Sequence, residues 1–151
     1  MLRSTSIVLL VSVAIAAADH GGSRVHYVGG TLTELAGNVP GELVIGAGES
    51  LRFAARGAEV SVPYSSVNLI EYGLRVNRRY VAAVLISPLL LLSKKRVHFV
   101  TVGYADADGR QQAMVFQVGG GDVRAVLVSL EARTGRKVEY QDEEARKAGK
   151  G

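Results

Sequence analysis

The sequence predicts a mainly β, α+β domain, an antiparallel barrel of about seven short strands with one helix at its end. Three observations predict it. Short runs alternate apolar and polar residues with period two, the pattern of half-buried antiparallel strands. Asp108-Gly109 lies between two such runs, a strong hairpin signal. One stretch alone, after Gly119-Gly120-Gly121, carries a helical apolar stripe.

The elements follow in order. Residues 1–18 (MLRSTSIVLLVSVAIAAA) have a basic Arg3, an apolar run from Ile7 to Ala16 and small residues at Ala16 and Ala18. This is the three-part pattern of a secretory signal, with cleavage expected before Asp19 and delivery to the periplasm or envelope. An uncleaved anchor is the alternative, although the run is short against the roughly 20 residues that a bilayer span needs. Residues 19–24 are polar and Gly-rich, a flexible leader. Strand signals follow over Val25–Leu35, Glu42–Ile45, Ser50–Arg56, Glu59–Tyr64 and Val67–Arg75. In Ser50–Arg56, Leu51, Phe53 and Ala55 share one face.

Val97–Tyr104 and Gln111–Val118 flank the Asp106–Arg110 turn, and Met114, Phe116 and Val118 point one way. Asp122 is placed to cap the following helix with its carboxylate. Val123, Val126, Leu127 and Leu130 make the apolar stripe, and Gly135 suits the position after the helix. Lys137–Tyr140 suggests a short strand. Residues 141–151 are charged with little to bury, and a disordered tail is expected. The fold alternatives are another small antiparallel barrel or a two-layer α+β arrangement.

This order resembles the pleckstrin-homology-like superfold, and GRAM and bacterial PH-like domains in particular. The residues that carry the likeness are Gly41–Ile45, Leu51-Arg52-Phe53 and Val62–Val67, with the hairpin 97–118 and the helix 122–134. It covers residues 25–140 and rests on element order. The resemblance implies a split barrel of seven strands capped by a C-terminal helix, and a role in binding lipids, peptides or proteins. Two features depart from it: the export signal and an apolar insertion at 80–93.

That insertion is the unusual part of the chain. Residues 75–96 read RVNRRYVAAVLISPLLLLSKKR. Val81–Leu92 is apolar except for Ser87 and Pro88. Arg75, Arg78 and Arg79 precede it, and Lys94, Lys95 and Arg96 follow it. Three placements are open. The segment packs on its own domain across one end of the barrel, dips into a membrane, or meets its copy in a homo-oligomer. In the membrane placement Val84, Leu85, Ile86, Leu89, Leu90 and Leu91 enter the bilayer while the six cations stay at the head groups.

Composition sharpens this. The chain of 151 residues has 18 Lys+Arg, 14 Asp+Glu and a formal charge of +4, with 48% hydrophobic residues. Its pI is near 9.6 and its mean hydropathy +0.18. Residues 72–105 hold six basic and no acidic side chains, so the rest of the mature chain is mildly acidic. With only 6% aromatics and the cations flanking an apolar run, nucleic-acid binding is not expected.

No catalytic residues and no metal ligands are assigned. The chain has no Cys, which excludes disulfides, thiolate metal sites and a Cys nucleophile. His20, His26 and His98 fall in no HExxH pattern, though His26 and His98 lie on strands that a fold can bring together. Asp106-Ala107-Asp108-Gly109 has Gln117 where a calcium loop needs its twelfth-position Glu. The glycine clusters lack a phosphate-loop GK[ST], and there is no GxSxG elbow. No cofactor or small-molecule substrate is implied. The expected function is a non-catalytic cell-envelope binding or scaffold module. It docks on an anionic membrane or an envelope protein through residues 78–96. The alternative is a self-associating structural envelope protein with 81–92 on its own barrel or in a homo-oligomer contact.

Overall fold

A computed structural model describes residues 21–75 and 97–150. Among them the chain builds an eight-stranded mixed sheet and two α-helices. The strands are β1 (Ser23–Gly30), β2 (Val39–Val44), β3 (Ser50–Ala55), β4 (Ala58–Pro63), β5 (Val67–Gly73), β6 (His98–Ala105), β7 (Gln111–Val118) and β8 (Glu139–Tyr140). A 3₁₀ turn at Tyr64–Ser66 joins β4 to β5. Helices α1 (Val123–Thr134) and α2 (Glu143–Lys150) flank β8.

The strand order is β4-β3-β2-β1-β7-β6-β5-β8. It joins two antiparallel meanders, β1–β4 and β5–β7, through the β1–β7 pair. The parallel β8 adds an edge strand beside β5, one more than the seven expected. Both meanders face one core. Phe53 of β3, Tyr27 of β1 and Phe116 of β7 pack with ring centroids 5.2–6.0 Å apart. Ile70 and Tyr72 of β5 join the same cluster. Helix α1 adds Val123, Val126, Leu127 and Leu130, the stripe that the sequence marks.

The turns explain the hairpins. At 106–110 the Asp106 carboxylate accepts from the amides of Asp108 and Arg110 and from the side chains of Arg110 and Gln112. Gly109 takes φ +77°, a left-handed conformation open to glycine at little cost. Gly135 does the same at φ +69° and ends α1 by donating to the Glu131 carbonyl.

Four expectations need correction. The Asp122 carboxylate makes no cap bond, because its backbone is already helical at φ −100°, ψ −15°. The Gly119 carbonyl instead accepts from Asp122 and Val123. Residues 141–150 are not a disordered tail. Asp142 caps α2 by accepting from the Ala145 amide at 2.7 Å, and Ala145 is fully buried. The leader is shorter than expected, since β1 starts at Ser23. Finally, β6 and β7 are not half-buried. In β6 every residue from Phe99 to Tyr104 is buried, on both faces.

Candidate functional site

Register places the candidate segment at one end of the sheet. Gly73 at the end of β5 lies opposite Phe99 at the start of β6. His98 lies opposite Val118, and Val118 opposite Val25. The chain therefore leaves β5 and re-enters β6 on neighbouring strands, beside the start of β1. Of the six cations of the segment, Arg75 is among the described residues. Arg79 is six residues from Gly73, and Lys94 is four from His98. Arg75 is exposed just past β5. The other predicted contact residues, Arg78, Arg79, Val84, Leu85, Ile86, Leu89, Leu90, Leu91, Lys94, Lys95 and Arg96, lie outside the described residues, as does the signal at 1–18. Among the described residues Arg24, on β1, is a further exposed cation at the same end, and the sequence reading left it out. Its signal was position: Arg24 is the last residue of the leader expected at 19–24, next to the first strand signal.

The same end holds a partly buried polar pair. The Tyr72 hydroxyl and His98 Nδ1 are 2.6 Å apart, with the rings stacked at 14°. Burial pushes the His98 pKa down, and burial followed by the nearby Tyr140 pushes that of Tyr72 up. Both groups are thus held neutral and joined by one hydrogen bond. On its other side the His98 ring abuts Gly120, whose missing Cβ would lie 3.2 Å from Nε2. This pair is a brace across β5 and β6, and among the described residues no third group orients the imidazole as a base.

Elsewhere the candidate chemistry separates. His26 pairs with Gln117, which pairs with Phe99, so His26 shares a row with Phe99. His98 is one residue off that row and on the opposite face. The two histidines do not meet. Glu71 is buried and accepts from the Gln141 side chain at 3.0 Å, tying β8 to β5. The Tyr27 hydroxyl is buried and has no hydrogen-bond partner among the described residues. Burial, then the neighbouring Tyr104 and Glu34, raises its pKa to about 12. Among the described residues no group of three His, Asp or Glu side chains is arranged to hold a metal. No helix there is long and apolar enough to cross a membrane.

Sequence reasoning missed the second buried face of the sheet, which also holds Glu71 opposite Thr101. Along β6 the residues alternate between the core and the opposite face. Val100, Val102 and Tyr104 belong to the core, whereas Phe99 and Thr101 face away from it and are still only 4% and 5% exposed. On β7 the outward Ala113 and Val115 are buried too, at 5% and 0%. Val28, in the β1 bulge, is fully buried and also outside the core cluster. The signal was the composition of VHFVTVGY. A strand buried on both faces loses its alternation and reads as a nearly continuous apolar run.

No protein-family model matches this chain, and no curated protein matches it significantly.

Proposed function

We propose that the chain is a non-catalytic binding module of the cell envelope that docks on an anionic membrane surface through the sheet end at Arg75–His98. The single observation that supports this is the direct pairing of Gly73 with Phe99. In sequence, the two basic triplets and the twelve mostly apolar residues between them fall between these paired strand ends. Each Lys or Arg held near an anionic bilayer contributes about 1 kcal/mol. Twelve residues are too short to cross about 30 Å of hydrocarbon as a helix, so shallow insertion is the mode that fits. Arg24 adds a cation where β1 begins.

In this reading the domain is an exported PH-like scaffold. Two consecutive meanders followed by α1 support that assignment. The signal-like residues 1–18 support export.

Co-sedimentation of the chain lacking residues 1–18 with vesicles tests the reading. Binding is expected to phosphatidylglycerol-containing vesicles, to weaken with salt, and to fall strongly when Lys94, Lys95 and Arg96 become Ala. Equal binding by that triple variant, or no binding by the parent, sinks the proposal. Light scattering on the same samples detects the self-associating alternative.

A further inference from the structure

We infer that β4 is a self-pairing edge, along which two copies of the chain join their sheets antiparallel about a two-fold axis at Val60. This goes beyond the membrane reading and stands without it.

The strand order leaves β4 at one end of the sheet, paired only with β3. The register shows which of its backbone groups face outward. The β3–β4 hairpin closes at Ala55 and Ala58 around the two-residue turn Arg56-Gly57. At its far end the Tyr64 amide donates to the Glu49 carbonyl at 2.9 Å, one pair beyond Ser50 and Pro63. Antiparallel pairs alternate between bonded and non-bonded. Ala58, Val60 and Val62 therefore turn their N–H and C=O groups to β3. Glu59, Ser61 and Pro63 turn theirs away, and Pro63 has no N–H to leave unpaired. Among the described residues no backbone group meets those of Glu59 and Ser61. The side chains agree with an open edge. Glu59 and Ser61 are exposed, and the core-facing Ala58 and Val60 are only half-buried.

A bare edge is a template for another strand. The residues here select a second copy. With Val60 opposite Val60 of the copy, Glu59 falls opposite Ser61 of the copy, and Ala58 opposite Val62. The outward backbone groups of Glu59 and Ser61 then bond each other across the seam. The half-buried Ala58 and Val60 gain apolar neighbours on the core side. A slip of one residue mixes the apolar and polar faces. A slip of two residues one way sets Glu59 against Glu59, like charges directly opposed. The same slip the other way sets Glu59 against Pro63, which cannot donate.

Charge fits the same register. Arg52 lies opposite Ser61 on β3 and 3.9 Å from Glu59 of its own chain. In the joined sheet Arg52, Ser61 and Glu59 of the copy form one row. Each Glu59 then lies between Arg52 of its own chain and, across one serine, Arg52 of the copy.

The absence of native cysteine makes the test clean. Cα atoms of a non-bonded antiparallel pair are about 4.5 Å apart, within reach of a disulfide. Val60→Cys is therefore expected to give a disulfide-linked dimer on mild oxidation, in the full chain and in the chain lacking 1–18. Glu59→Cys and Ser61→Cys are each expected to link far less alone than when mixed. Linking at Val60 no faster than at the exposed Arg124→Cys of α1, or strongest at Ser61 or Glu59 alone, overturns the inference. Light scattering gives a second readout. The parent mass is expected to double as concentration rises. Ser61→Pro removes an outward N–H and leaves the bonds to β3 in place, so this variant is expected to stay at the monomer mass with an unchanged circular dichroism spectrum. A parent that remains monomeric at its highest soluble concentration, or a folded Ser61→Pro that still doubles in mass, contradicts it. The cysteine readout does not depend on the proline variant folding. Neither readout contains vesicles, so this proposal and the membrane reading fail separately.

Discussion

At the scale of single residues, burial decides the state of the polar groups. His98 is the clearest case. Its folded-state pKa lies below the ordinary 6.5 because burial disfavours the imidazolium. Below pH 6.5 the unfolded chain takes up a proton that the folded chain resists, so unfolding binds protons and stability falls as pH falls. Chemical denaturation at pH 7.5 and 5.5 is expected to show lower stability at the lower pH. His98→Phe, which keeps a ring against Tyr72 but cannot titrate, is expected to flatten that difference. An unchanged pH dependence in the variant contradicts the assignment. Asp106 titrates in a different window. Hydrogen bonds from Gln112 first and from the Arg110 amide next hold its carboxyl below the usual range, so its contribution is lost only below about pH 4.

At the scale of elements, legibility followed periodicity. Leu51 and Phe53, Met114 and Phe116, and the four apolar residues of α1 are spaced at two or at three to four, and each falls in the core. Helix α2 has no such stripe. Its docking rests on two small residues, Ala145 and Gly149, which let the helix approach the Tyr72 and Tyr140 rings. Small residues carry almost no hydropathy signal, so the stretch read as tail. The usable cue was polarity order. Asp142, Glu143 and Glu144 open the helix and Lys147 and Lys150 close it, which complements the helix dipole. A Cβ at position 149 would come within 2.8 Å of the Tyr140 ring and 3.1 Å of the Tyr72 ring. Gly149→Val is therefore expected to cost about 1 to 3 kcal/mol by overpacking. The exposed Lys147→Val is expected to cost far less in the same thermal unfolding experiment. Equal effects of the two mean that α2 does not dock through this contact.

At the scale of the whole molecule, the sheet has two buried faces, and residues 76–96 run in sequence between its β5 and β6 ends. The inner face was legible because alternation marks it. The outer face was legible only in the nearly continuous apolar run of VHFVTVGY, because residues such as Thr101 and Ala113 are neither charged nor strongly apolar and break no alternation. The sequence carries six cations around an apolar run, and the register shows that the strands on either side of that run, β5 and β6, pair at Gly73 and Phe99. A dye attached to single cysteines gives the most direct measurement. The positions are Val84 through Leu91 in the chain lacking 1–18, with the exposed Ser61 of β4 as reference. On adding phosphatidylglycerol vesicles, the dye is predicted to shift blue and be quenched by a lipid-chain nitroxide at a subset of segment positions, and to be unchanged at Ser61. Emission that stays unchanged at every segment position would contradict membrane docking through this end.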